Sequence, residues 1–165
     1  MTARTLITGS LIASVVGVAA QEAKASVATG TLSVSMTIQA SCTLASTSPV
    51  AFGTQGVLTA NTDATGSLTV QCTNTTPYTV ALDAGAGTGA TTALRKMTAG
   101  AATVSYALYR DSSRTLTWGN AQGTDTVAGT GSGSNQALTV YGRVAPQTSP
   151  APGSYADTVN VTITY

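Results

Sequence analysis

The sequence predicts an all-β sandwich, and three observations carry that prediction. Apolar and polar residues alternate with period two in one segment after another. Gly, Pro, Asn and Asp collect between those segments. No window beyond residue 25 shows the 3.6-residue period of an amphipathic helix. Alternation of this kind sends successive side chains to opposite faces of an extended strand, so each segment offers one apolar face for a core.

Residues 31–40 are the strictest case. Leu32, Val34, Met36, Ile38 and Ala40 share one parity, and Thr31, Ser33, Ser35, Thr37 and Gln39 share the other. Residues 41–44 and 50–52 read as pieces of a first core strand broken at Ser48-Pro49, and Gly53 and Gly56 open a polar loop. Leu68, Val70 and Cys72 then share a face. Residues 74–77 turn the chain, and Tyr78, Val80 and Leu82 alternate again. Residues 84–92, built from Gly, Ala and Thr, read as a surface loop. Residues 94–97 fit either a short strand or a turn, and residues 104–110 are a strand with Val104, Tyr106 and Leu108 inward. After the turn at Asp111-Ser112-Ser113, residues 119–136 are mostly Gly, Ser, Thr and Asn. Residues 137–144 form the next strand, and Pro146, Pro150, Pro152 and Gly153 mark a turn. The last alternating run sets Val159, Val161, Ile163 and Tyr165 against Thr158, Asn160, Thr162 and Thr164 and reaches the final residue.

The chain has 165 residues, which suits one domain with one core. Its start carries Arg4, an apolar run over residues 6–20, and small residues at Ala20, Ala23 and Ala25. These are the charged, apolar and small-residue parts of a secretory signal, here residues 1–25, with cleavage after Ala25 or alternatively after Ala20. The run is too short and too rich in Gly, Ser and Thr for a membrane span. Residues 26–40 are then an N-terminal arm, and residues 41–165 the sandwich domain.

Loss of residues 1–25 removes Arg4, Lys24 and Glu22, taking seven basic and six acidic residues to five of each. A net charge of zero argues against a nucleic-acid partner, which needs a basic surface. Charged residues are 8% of the chain, against an ordinary quarter or so. Such a neutral surface, rich in Thr, Ser, Ala and Gly, suits packing against copies of the same chain.

Cys42 and Cys72 are the only cysteines, and in an exported chain they are expected to form one disulfide. The absence of histidine and of any C-x-x-C spacing argues against a metal pair. It also removes the commonest general base. The five aspartates beyond residue 25 are scattered through turns with no paired-carboxylate spacing, so neither a catalytic site nor a cofactor is expected. Arg110, Asp111 and Arg114 read as a solvated turn. Tyr106, Tyr109, Tyr141, Tyr155 and Trp118 read as core or edge packing in preference to a sugar-stacking surface. The sequons at Asn74 and Asn160 are weak patterns in so Thr-rich a chain.

Pattern alone leaves two fates open for the arm: it is the first strand of its own sandwich, or it completes the sheet of a neighbouring subunit. One further set of residues bears on that choice. Ala40-Ser41-Cys42, Phe52-Gly53, Val70-Gln71-Cys72-Thr73, Leu82-Asp83-Ala84-Gly85 and the run Tyr106 through Asp111 are its first half. Val140-Tyr141-Gly142-Arg143-Val144 and the run from Gly153 to Tyr165 complete it. In that order the set resembles the major subunits of archaic chaperone-usher pili, the spore coat protein U domain family. The resemblance spans almost all of the chain beyond the signal, and the ordered set is specific where no single piece is. It implies an incomplete immunoglobulin-like β-sandwich lacking its last strand, with an acceptor groove along Val159, Val161, Ile163 and Tyr165. It also implies donor-strand complementation by Leu32, Val34, Met36 and Ile38 of another subunit. The implied partners are identical or homologous pilin subunits, a periplasmic chaperone and an outer-membrane usher. The implied location is a surface pilus that supports adhesion and biofilm formation. The alternative is a self-complemented, monomeric secreted coat or carbohydrate-binding protein.

Overall fold

The computed structural model describes residues 21–165, so most of the expected signal peptide lies outside the described residues. The chain divides into two compact units, Met1–Met36 and Thr37–Tyr165. The described part of the first, residues 21–36, forms neither helix nor strand and is exposed throughout.

The second unit holds eight strands: β1 Cys42–Ser48, β2 Thr62–Cys72, β3 Pro77–Leu82, β4 Arg95–Ala99, β5 Ala102–Tyr109, β6 Val127–Thr130, β7 Asn135–Val144 and β8 Val161–Thr164. They build two sheets, one ordered β1-β2-β7-β5-β4 and the other β6-β3-β8, with every pairing antiparallel. This is the all-β sandwich that the alternation predicts, with the immunoglobulin-like character that the resemblance implies. Leu68, Val70, Tyr78, Val80, Leu82, Val104, Tyr106, Leu108 and Val140 are buried, each on the parity that the sequence assigns to the core. Because a one-residue slip would send every one of these side chains to solvent, the apolar pattern fixes the register.

Several segments differ from the sequence expectation, each for a physical reason. β1 runs unbroken from Cys42 to Ser48, with a bulge between Leu44 and Ser46, while Val50 and Phe52 lie outside any strand. Those two side chains instead reach across the sheet beneath them. A Cβ on Gly142 would come within 2.5 Å of Val50 and 2.9 Å of Phe52, and one on Gly66 within 2.8 Å of Val50. The two glycines leave the room in which residues 49–52 lie. Of the ambiguous residues 94–97, Arg95 to Met97 open strand β4, and part of the low-complexity stretch 119–136 becomes β6, paired with β3 from Pro77↔Thr130 to Val80↔Val127. The closing strand is shorter than its alternation, since β8 covers only Val161–Thr164. The alternating residues 31–40 carry no strand, because no described residue pairs with them.

Two polar side chains organise the core. Trp118 is buried and donates its indole N–H to the Val80 carbonyl at 2.9 Å. Arg95 is wholly buried, with its guanidinium donating to four backbone carbonyls: Asp83 at 2.8 Å, Thr92 at 2.7 Å, Leu82 at 3.1 Å and Trp118 at 2.8 Å. Burial pulls its pKa below the ordinary guanidinium value, opposed by Tyr106 and by Asp83, Asp157 and Asp125. The fork of donors thereby joins the end of β3, the start of β4 and the segment after β5.

Candidate functional site

β8 pairs with β3 through Thr79↔Thr164, Val80↔Ile163, Ala81↔Thr162 and Leu82↔Val161. On its other side it pairs with no strand among the described residues, since it closes the three-stranded sheet. β1 likewise ends the five-stranded sheet. An unpaired edge presents a row of free N–H and C=O groups, a template for another strand.

Beside this edge runs a cleft of about 450 Å³. One wall is Thr47, Ser48, Pro49, Val50 and Phe52, and the other is Tyr155, Asp157, Val159 and Val161. Leu68, Leu82, Leu108 and Val140 form its floor. The floor is the core itself, so the cleft is where the two sheets fail to close over their own interior. Phe52 meets the Tyr106 ring edge-on, with centroids 6.1 Å apart.

Of the expected groove residues, Val159 and Val161 line the cleft, and Val159, Val161 and Ile163 are partly buried against the core. Ile163 is not part of the lining, and Tyr165, beyond the last residue of β8, is 58% exposed. The expected donor residues Leu32, Val34, Met36 and Ile38 are exposed at 77–89%. Large apolar side chains that open to water signal a missing partner surface. Sequence reasoning missed Phe52, Leu68 and Met97 as cleft residues, because their place depends on which strands fail to meet. It also missed Asp157, whose carboxylate accepts the Tyr106 hydroxyl at 2.7 Å and the Ala86 N–H at 2.8 Å. Burial, with Asp157 second, pushes the Tyr106 phenol well above its usual value of 10.

The expected disulfide is present: Cys42 and Cys72 are bonded and stand opposite each other across β1 and β2. The two arginines near the β5 turn serve the fold. Arg110 donates to the carbonyls of Thr126 and Thr124, and Arg114 to Gly142, while Arg114 also lies over the Tyr141 ring and 3.4 Å from Asp63. Asp111 accepts N–H groups from Thr115 and Leu116 and closes that turn. The described residues contain no cluster of three or more His, Cys, Asp or Glu able to hold a metal, and no helix long and apolar enough to cross a membrane.

Comparison with known proteins agrees with this geometry. Protein U of Myxococcus xanthus is 34% identical over 163 residues, covering 90% of this chain and 90% of that protein. The solved complex of CsuC and CsuE, a chaperone-tip adhesion subunit pre-assembly complex from archaic chaperone-usher Csu pili of Acinetobacter baumannii, matches 78% of this chain. The TM-score is 0.58 and the identity 25%, and the match spans 40% of that longer chain. The family profile of the Spore Coat Protein U domain covers residues 28–162, and with the relative above it shows that the chain belongs to the Spore Coat Protein U domain family.

Proposed function

We propose that the chain is a structural subunit of a surface pilus, assembled by donor-strand exchange along a chaperone-usher pathway. The observation that carries this reading is the unpaired outer edge of β8 beside an apolar cleft, in a chain whose residues 31–40 alternate without a partner among the described residues. Each lacks what the other supplies. The arm of one subunit adds the missing strand to the next, placing Leu32, Val34, Met36 and Ile38 along Val159, Val161, Ile163 and Tyr165. The solved complex above pairs a chaperone with a subunit, which supports a chaperone as the temporary occupant of the same edge. An outer-membrane usher, export on a signal of residues 1–25, and adhesion and biofilm formation by the finished fibre belong to the same reading, as does the absence of catalysis.

Energetics favour it. Burial of the arm's four large apolar side chains at roughly 1.5–3 kcal/mol each gives a gross gain of about 6–12 kcal/mol before ordering costs. Ladder hydrogen bonds add to that, and slow release of a long paired strand makes each link durable. Since an arm fits the cleft of another copy, the contact is head-to-tail and propagates into a fibre.

Electrophoresis in detergent of cell-surface material, with and without boiling, tests the reading. A ladder that collapses to one band on boiling is the expected result. A single monomer band in both lanes would refute it and favour the self-complemented secreted protein. Ile38→Asp places a charge in an apolar cleft, so that ladder should vanish while the folded, chaperone-bound subunit persists.

A further inference from the structure

The cleft wall formed by residues 156–160 has almost no ladder to hold it. β8 begins only at Val161, and upstream of it the backbone contributes the Thr98–Ala156 bridge, at 2.8 and 3.1 Å, and one bond from Asp83 N–H to the Asn160 carbonyl at 3.1 Å. Side chains do the remainder. Asp157 Oδ1 accepts the N–H groups of Ala86 and Thr158, each at 2.8 Å, and its Oδ2 accepts the Tyr106 hydroxyl at 2.7 Å. Asp83 Oδ1 accepts the N–H groups of Gly85 and Asn160, each at 2.9 Å, and its Oδ2 accepts the Asn160 side-chain amide at 2.6 Å. Gly85 sits at φ +79° against the Asp157 carboxylate, where a Cβ would collide with it. Neither aspartate forms a salt bridge among the described residues. Both are used on the N–H and O–H groups that fix this one short segment, and Val159, pointing into the cleft, lies between the two fastened points.

We infer that Asp157 and Asp83 are positioning residues for strand uptake, holding residues 156–160 in the open, strand-accepting geometry while the cleft is empty. This rests on the donor-strand reading above. An edge paired on one side only frays, and a frayed wall reduces the fraction of molecules competent to accept a strand, which lowers apparent affinity by that fraction. Once a donor strand is seated, its own ladder bonds hold the wall. The two clips therefore matter more to the empty chain than to the filled one.

The test refolds the exported chain from urea at low concentration with excess labelled peptide of residues 28–40, and reads detergent-resistant peptide uptake and the Tm of empty and filled forms. Asp157→Ala is expected to weaken uptake roughly tenfold and to lower the Tm of the empty chain about twice as far as that of the filled chain. Tyr106→Phe removes only the hydroxyl that reaches Asp157 and should give a smaller effect of the same kind, so it decides the matter if Asp157→Ala does not fold. Uptake at the wild-type level in Tyr106→Phe and in any folded Asp157→Ala overturns the inference and leaves the donor-strand reading standing. Equal Tm losses in empty and filled forms also overturn it, since that is what a merely structural role produces. Failure of the wild-type chain to take up the peptide overturns both.

Discussion

Replacing Arg95 by Met removes the planar fork of donors and keeps most of the side-chain volume. Two of its four hydrogen bonds, to Leu82 and Trp118, are fully buried, and the two to Asp83 and Thr92 are partly buried. The partly buried carbonyls can turn to water. The buried ones cannot, and an orphaned buried acceptor costs about 1–3 kcal/mol, so the two together give roughly 2–6 kcal/mol. Against this, Met spares the desolvation of a charge, which in other buried sites is worth about 1–4 kcal/mol. The two ranges centre on a net loss of about 1.5 kcal/mol, and at this chain length a fall in Tm of about 3–6 °C. Urea denaturation followed by fluorescence reads the site directly, because the single tryptophan, Trp118, is buried and its carbonyl accepts Arg95. Arg95→Lys should fall between, a point charge being unable to reach carbonyls that a fork spans. A midpoint for Arg95→Met within about 0.5 kcal/mol of wild type would refute the reasoning, for it would mean the carbonyls find other donors.

Two further outcomes follow from the covalent and ionic contacts. Cutting the Cys42–Cys72 disulfide releases a loop of about 31 residues, worth roughly 3–4 kcal/mol on the chain-entropy account, so the urea midpoint of the reduced chain should fall by that equivalent. An unchanged midpoint would show that the bond adds nothing to stability. Acid should destabilise the fold. Asp63 is held below 3.8 by its hydrogen bond from Arg143. Asp83 is held below it because bonds from Asn160 and Gly85 outweigh burial, and Asp111 because those from Leu116 and Thr115 do so. A carboxylate whose folded pKa is depressed contributes stability above its unfolded pKa and loses it as pH falls through the folded one. Denaturation midpoints should therefore hold level from about pH 7 to 5 and drop below about pH 4. Stability that rises between pH 5 and 3 would contradict this, and Asp83→Asn should flatten the drop.

The parts of the fold that sequence reveals are those where one residue type answers to one environment. Val70, Val80 and Val140 each follow a Thr of the opposite parity, and the sheets bury them accordingly. The parts it conceals depend on distant partners. Nothing in Val127–Thr130 distinguishes a strand from the Gly-rich loop around it, since its partner β3 lies far back along the chain. Arg95 looks like a surface cation beside Lys96 until the carbonyls of Leu82 and Trp118 converge on it from other elements. Parity sets Val159 and Val161 on one apolar face, and only the resemblance implied a groove there; Phe52 and Leu68 become lining because two sheet edges do not pair. Asp157 reads as one more turn aspartate, because the hydroxyl and N–H groups that it accepts come from positions 106 and 86.

The place of the disulfide has a mechanical consequence. Cys42 is the first residue of β1, close after the alternating residues 31–40, and its partner Cys72 ends β2, which is flanked by β1 and β7. Tension that arrives along the chain at residue 41 would, without the bond, peel β1 from its neighbour one hydrogen bond at a time. With it, the load passes at Cys42 through a covalent link into an interior strand paired along Thr62↔Val144 to Gln71↔Asn135. The pull is then shared in shear across that whole ladder, and an unzipping failure at the point of attachment is closed off.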